Sequence, residues 1–184
     1  MLRNRNIWLL AAAFGAFNAA TVGLGTYMPT FLNSVRGLSL AQAALISSIT
    51  ILVIIFSAPA GGVLSDRIGS RKKPYLAGLA GAIILLPLVG ALSATWLIVL
   101  VVVNGLVLGI VPTNIFAAAV EAAGDERQGG VAMAVIMVGQ NAGMLLGPVV
   151  FGALADGPGW PAAFASLAVM SALGLLAGWL AKVR

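Results

Sequence analysis

The sequence contains no cysteine and no histidine, and it has only ten basic and five acidic residues among 184. Without cysteine there can be no disulfide and no thiolate chemistry, and without histidine no imidazole metal ligand or histidine proton relay. It also lacks a phosphate-binding loop, a pair of carboxylates spaced for acid–base work and a Gly-x-Ser-x-Gly nucleophile motif. We therefore expect no enzyme, no cofactor and no metal.

What the sequence has in abundance is apolar residues. Hydrophobic residues make up 61% of the chain and charged residues 8%, and the mean hydropathy is +1.08. A soluble domain carries roughly a quarter charged residues, so this composition predicts an integral membrane protein whose first partner is the lipid bilayer. The pI near 10.5 comes without a basic stripe interleaved with aromatics, so we expect no nucleic-acid partner.

The apolar stretches predict six spanning helices, since each span needs about 20 apolar residues. Four charge-free stretches hold one helix each, and the stretch 74–120 holds two, with a turn near residues 90–95. The first stretch is too long for the core of a signal peptide, so it is interpreted as a retained helix. The predicted helices are 7–31, 41–64, 74–92, 96–119, 131–155 and 161–181.

The basic residues predict the orientation. If the N-terminus lies inside, only Arg36 is outside, whereas nine basic residues fall on the inner side. Lys and Arg collect on the cytoplasmic side of short loops, so both termini are predicted to be cytoplasmic. The nine inner residues are Arg3, Arg5, Arg67, Arg71, Lys72, Lys73, Arg127, Lys182 and Arg184.

A short pattern, Gly-x-Leu-x-Asp, occurs twice. It spans Gly62 to Asp66 and again Gly152 to Asp156, and only the first copy is followed by basic residues. With three helices between them, the two copies would lie on opposite sides of the membrane, as in inverted repeats of transporters. The predicted fold is therefore all-α and polytopic: one six-helix bundle over 1–184, built from inverted three-helix repeats at 7–92 and 96–181.

Glycines are concentrated in the fifth predicted helix. Gly139, Gly143, Gly147 and Gly152 are spaced by four or five residues around Pro148. Such spacing allows a neighbouring backbone to approach closely, and the proline weakens the helix where it interrupts the hydrogen bonds. Ordinary tight packing explains any single glycine; the clustered run with proline indicates a packing surface that could also act as a hinge.

The residues after the second helix resemble the loop signature of the major facilitator superfamily, Gly-x-x-x-Asp-Arg-x-Gly followed by basic residues. Ser70 stands where that signature usually has a basic residue. Six helices correspond to one half of a twelve-helix member, and the opening segment resembles the entry to a C-terminal half. The resemblance implies a multi-pass protein of the bacterial inner membrane. The matching residues are Gly62, Asp66, Arg67, Gly69, Arg71, Lys72 and Lys73.

The resemblance also implies a central pathway lined by the first and fourth helices. No charged residue lies deep in any predicted span, so the cavity would be polar through neutral groups only. Amides at bilayer depth need hydrogen-bond partners, and they could equally serve to join helices. The candidates are Asn18, Thr21 and Tyr27 on the first helix, Asn104, Thr113 and Asn114 on the fourth, and Gln140 and Asn141 on the fifth.

The resemblance assigns Asp66 a gating role, in which it faces the fifth helix of the opposite half and stabilises the outward-open state. A topology determinant alone is the simpler alternative. Arg71, Lys72 and Lys73 are expected to anchor the loop at anionic lipid, and Glu121 is expected to be a solvated loop charge.

The predicted function is secondary transport of a small-molecule substrate by alternating access, as half of a twelve-helix transporter. The partner would be the complementary six-helix half or a second copy of this chain. The alternative is a non-transporting piece, either a truncated fragment or an accessory membrane subunit. The intact loop signature favours the transporter, whereas the length of the chain favours the alternative.

Overall fold

The computed structural model describes residues 3–124 and 126–183, apart from the side chains of residues 94, 95, 126 and 127. That part of the chain is entirely helical between its turns and contains no strand, which confirms the all-α prediction. The helices are α1 Arg5–Ser34, α2 Leu40–Ile68, α3 Lys72–Leu88, α4 Ala94–Leu108, α5 Ile110–Ala123, α6 Glu126–Asp156 and α7 Trp160–Leu180.

Five of the helical segments are long and apolar enough to cross a bilayer, and α3 is the short one. One of the five, Trp96–Ala123, joins α4 and α5, so the predicted helix 96–119 is a single rod with a break at Gly109. The break lies one turn before Pro112, which cannot donate to the carbonyl of residue 108. Helix α3 has 17 residues and ends before the predicted 92, because Pro87 lies in its last turn and i→i+3 hydrogen bonds follow.

Several helices extend beyond the predicted boundaries, and α2 and α6 show it most clearly. Helix α2 continues through Asp66 to Ile68, where Gly69 ends it in the left-handed conformation with φ of 67°. Gly62 and Asp66 therefore belong to the last turns of a helix and not to a loop. Helix α6 begins at Glu126, before the predicted start at 131. The predicted boundaries were set by hydropathy, which marks only the residues within the hydrocarbon core of the bilayer. The helices themselves continue beyond that core.

The two ends of the bundle differ in chemistry. We call one the basic end; there the Asn4 side chain donates to the carbonyl of Ala122, and the Lys182 amide donates to Asn6. The other is the aromatic end, where the ring of Phe31 packs against Trp160 and Phe164 at 5.0 and 4.8 Å between ring centroids. The described cations of the basic end are Arg3, Arg5, Arg67, Arg71, Lys72, Lys73 and Lys182; Arg127 and Arg184 are outside the described side chains.

The repeated aspartates lie at opposite ends of the bundle. Asp66 is at the basic end, in the last turn of α2, and Asp156 is the last residue of α6, four residues before Trp160 of the aromatic end. Opposite placement is what inverted repeats require. That the two halves of the chain superpose after inversion stays a prediction.

Candidate functional site

A cavity of about 530 Å³ separates α1 from α4 in the half of the bundle nearer the aromatic end. In the described residues no Cα atom of α1 lies within 8 Å of a Cα atom of α4, whereas α1 does approach α5 that closely, and α5 continues α4 toward the basic end. There the rings of Phe14 and Phe116 meet edge to face at 5.2 Å. The space between the two rods is therefore a wedge that narrows toward the basic end.

The cavity wall is mostly apolar and carries no charge. Side chains such as Leu24, Met28 and Ile54 form much of it, and the polar contributions come from hydroxyls and one amide. Ser47 and Ser48 donate to carbonyls one turn back in α2, whereas Thr50 donates across to the Val101 carbonyl at 3.3 Å. The polar lining residues are Thr21, Thr26, Ser47, Ser48, Thr50 and Asn104.

Asn104 is the most confined polar group of this wall. It is 2% exposed, and its Nδ2 donates to the Leu85 carbonyl at 3.4 Å, in the last turn of α3. Its Oδ1 is buried and accepts no hydrogen bond from the described residues. A buried acceptor without a donor costs about 1–3 kcal/mol, so Asn104 is held in this wall at an energetic cost.

The structure places only two of the predicted cavity residues, Thr21 and Asn104, on this wall. Asn18 lies one turn away, where it is buried and donates to the Phe14 carbonyl at 2.8 Å. Tyr27 turns toward α6 and stacks on Phe151 at 5.5 Å between ring centroids. Tyr27 thus helps to join α1 to α6.

Four further candidates lie elsewhere. Thr113 donates to the Ala58 carbonyl at 3.0 Å, and Asn114 to the Gly61 carbonyl at 3.3 Å, so both connect α5 to α2. Asn141 is exposed on α6 and donates to the Met137 carbonyl of its own helix, while Gln140 is half-buried. The substrate role of these residues stays a prediction, and in this structure they do not line the cavity.

The glycines of α6 pack against α1. A Cβ added at Gly139, Gly143 or Gly147 would collide with the carbonyl oxygen of Ala11, Gly15 or Ala19, respectively. At Gly152 it would collide with the hydroxyl of Tyr27. The backbones of α1 and α6 are therefore in direct contact over three turns, and the structure identifies α1 as the partner of the predicted packing surface.

Arg71 connects three helix ends at the basic end. Its Nη1 lies 2.5 Å from Asp66 Oδ1 at the end of α2, and its Nε donates to Glu121 Oε1 of α5 at 3.0 Å. The same Nη1 reaches the Ser65 hydroxyl. The hydrogen bond to Glu121, supported by Asp66, raises the pKa of the Arg71 guanidinium above its ordinary value, although desolvation opposes the shift. Glu121 is 49% exposed and therefore solvated, as expected, but it lies in α5 and also pairs with Arg71. The lipid-anchoring role of Arg71 stays a prediction.

Lys72 also has a specific protein contact. Its Nζ donates to the carbonyls of Trp179 and Ala181 at 2.8 and 2.5 Å, and the Tyr75 hydroxyl donates to the Gly178 carbonyl at 2.9 Å. The last carbonyls of a helix have no partner within it, so α3 caps the end of α7. Arg67 and Lys73 are exposed, in agreement with a surface role.

Sequence reasoning missed the buried hydroxyl of Ser57, which donates to the Gly105 carbonyl at 2.8 Å. The spacing in the sequence could have indicated this contact, because Ser57, Gly61 and Ser65 follow one another at intervals of four residues on α2. In the structure all three are buried. Small residues at that spacing mark a close helix contact. Here they form the α2 side of the contact with α4 and α5.

Comparison with known proteins agrees with this architecture. The family model described as Major Facilitator Superfamily matches residues 1–131. The multi-drug resistance efflux pump PmrA of Streptococcus pneumoniae is 32% identical over 156 residues, 80% of this chain and 38% of the pump. The staphyloferrin B transporter of Staphylococcus aureus is 30% identical over 179 residues, 91% of this chain and 42% of that protein.

A third relative, the probable nitrate/nitrite antiporter NarK1 of Thermus thermophilus, is 31% identical over 90 residues, 47% of this chain and 20% of the antiporter. The chain thus spans about two fifths of the length of the first two relatives. The matched residues include the whole Gly62–Lys73 signature and helices α1 to α5, of which α1 to α4 line the cavity. This chain is a multi-pass membrane protein that belongs to the major facilitator superfamily.

Proposed function

We propose that this chain transports a small solute by alternating access and supplies six of the helices of a twelve-helix transporter. The observation that carries the proposal is the wedge between α1 and the α4–α5 rod. Its cavity lies nearer the aromatic end, and the ring contact of Phe14 with Phe116 brings α1 and α5 together toward the basic end. Two bundles that rock about a midplane site would alternately open such a wedge at each side.

The second bundle would be the complementary half or another copy of this chain. Large apolar side chains on α2 and α6 are exposed, among them Phe56 and Leu145 at 77% and 70%, which suits lipid or a partner bundle. The exposed amide of Asn141 does not suit lipid. The positive-inside rule would place the basic end in the cytoplasm of a bacterial cell, so the structure would correspond to an outward-open state.

The alternative is a non-transporting fragment or an accessory subunit, and the length of the match favours it, since the chain spans about two fifths of its relatives. Those relatives differ in the substrate that their names give, from drugs to nitrate/nitrite to staphyloferrin B. They therefore support transport as a class without selecting what is carried.

An Asp66→Asn substitution tests the gate. It removes the charge that pairs with Arg71 and should favour opening at the basic end by about 1 kcal/mol, the upper range for an exposed ion pair. That corresponds to a roughly fivefold shift in the equilibrium between the states. The measurement is the rate at which an Ala118→Cys reporter, fully buried on α5, reacts with a maleimide in membranes of the cysteine-free chain.

The matched control is Asp156→Asn, which alters the same position of the second copy of the pattern. Asp156 is exposed and has no ion pair in the described structure, so the reporter should react at the original rate. Equal rates in all three proteins would reduce Asp66 to a residue of the loop signature and leave the fragment as the better description.

A further inference from the structure

Helix α2 and the α4–α5 rod are each weakened by a proline, and the two prolines lie side by side. Pro59 is inside α2, and Pro112 is the third residue of α5, just past the break at Gly109. Neither can donate the backbone hydrogen bond that would continue its helix. Thr113 donates to the Ala58 carbonyl at 3.0 Å, so the residue after one proline is bound to the residue before the other.

The two helices are in direct contact around these prolines. A Cβ added at Gly61 would lie 2.9 Å from the Cα of Ile110, and one added at Gly109 would collide with the hydroxyl of Ser57. Small residues allow this close approach. Because no space separates the helices here, a bend in one displaces the other, and we expect the two to bend together.

Ser57 holds the α4 side of this contact. Its buried hydroxyl donates to the Gly105 carbonyl, in the last turn of α4, at 2.8 Å, while the Ile54 carbonyl of its own helix is farther away at 3.3 Å. The Gly109 amide donates to the same Gly105 carbonyl at 3.1 Å. Ser57 therefore binds α2 to the turn just before the break, as Thr113 binds it to the turn just after.

The paired prolines lie between the cavity and the ion pairs of Arg71. On the side of the aromatic end, α2 and α4 line the cavity and are joined by the hydrogen bond from Thr50 to the Val101 carbonyl. On the side of the basic end, α2 carries Asp66 and α5 carries Glu121, and both carboxylates pair with Arg71. The two helices that are weakened together are thus the two that bring carboxylates to Arg71.

We propose that the paired prolines form one hinge, at which the basic-end parts of α2 and α5 turn together relative to the parts of α2 and α4 that line the cavity. Ser57 is the positioning residue that holds this hinge in its present conformation. The proposal deepens the transport function and rests on it for the view that the hinge links the cavity to opening at the basic end. The hinge itself belongs to this bundle and can be measured without a substrate.

Amide hydrogen–deuterium exchange of the purified chain in lipid nanodiscs reports local opening of each helix. Ser57→Ala should accelerate exchange about fivefold in residues 106–113 and in residues 58–64, since one net hydrogen bond contributes about that factor. The matched control is Ser47→Ala, which removes a hydroxyl that donates within α2, to the Ala43 carbonyl, and should leave both segments unchanged. Acceleration in only one of the two segments, or to the same extent in every helix, would overturn the joint hinge.

Pro112→Ala distinguishes a hinge from simple adhesion between helices. Alanine supplies an N–H that can donate to the Leu108 carbonyl, so exchange in residues 106–113 should slow, and adding Ser57→Ala should then change it less than about twofold. A hydroxyl that only joined α2 to α4 would have the same effect with or without Pro112, and that result would contradict the proposal.

Pro112→Ala alone keeps the test decisive if Ser57→Ala does not fold. Unchanged or faster exchange in residues 106–113 of this variant would show that Pro112 does not weaken the rod, and the hinge would be wrong. None of these measurements uses the Ala118→Cys reporter or a transported solute, so failure here and failure of the gating experiment are distinguishable.

Discussion

Gly143→Ala should strongly lower the stability of the bundle. The added Cβ would collide with the carbonyl oxygen of Gly15 and lie 3.0 Å from its Cα, both backbone atoms that cannot rotate away. Helices α1 and α6 would have to separate along three turns. Overpacking of this kind costs about 1–3 kcal/mol, and we expect about 3 because the obstacle is backbone. Thermal unfolding in detergent, followed by tryptophan fluorescence, measures the loss.

Gly130→Ala is the matched control, since it makes the same change in the same helix. A Cβ at Gly130 meets nothing within 4 Å, so only helix propensity changes, and alanine is favoured there by about 0.5–1 kcal/mol. The two substitutions should therefore move the melting temperature in opposite directions. If both proteins have the same melting temperature, the close contact between α1 and α6 does not exist in the folded protein.

Cysteine labelling of the two bundle ends should give an all-or-none difference. Ser70→Cys places a thiol at the basic end, and Val35→Cys places one on the exposed side of the aromatic end. Because Lys and Arg are retained on the cytoplasmic side, an impermeant maleimide should label only Val35→Cys in intact cells. The natural chain contributes no background, because it has no cysteine.

Permeabilised cells provide the control for accessibility, because residue 70 is only half exposed. Both variants should be labelled once the reagent reaches both faces. Labelling of Ser70→Cys in intact cells would reverse the orientation, and the cavity would then open toward the cytoplasm. The outward-open interpretation of this structure would be wrong.

The membrane class and the approximate helix positions were predictable because hydropathy and length determine them. The helix boundaries were less predictable. Ser65, Asp66 and Arg67 are polar and therefore suggest a loop, yet α2 continues through them and ends only at Gly69. Helix α3 was predicted too long, because hydropathy alone does not register that Pro87 disturbs its last turn. The break at Gly109 was likewise not predicted, because hydropathy averaged along the sequence does not register the missing backbone donor of Pro112.

The candidate site was harder to predict, because polarity does not indicate the direction of a side chain. Asn104 and Asn114 are the same residue type on one rod, ten residues apart. One faces the cavity, whereas the other donates to the backbone of α2. Arg71 and Glu121 are 50 residues apart in sequence and meet because α3 begins and α5 ends at the basic end. Such pairings depend on which helices are neighbours, and this chain alone contains no signal for that.

The cap that Lys72 forms has a consequence for biogenesis. Its two acceptors, at Trp179 and Ala181, are made more than a hundred residues after the lysine itself. While the ribosome is producing the intervening helices, this cation lacks both of these carbonyls, and lipid headgroups at the membrane surface can bind it instead. Release from the headgroups and capture by α7 would then be a late event in assembly. Lys72 would thus act twice: first as a cation that helps to orient α2 and α3 in the membrane, and later as the cap that binds the end of α7.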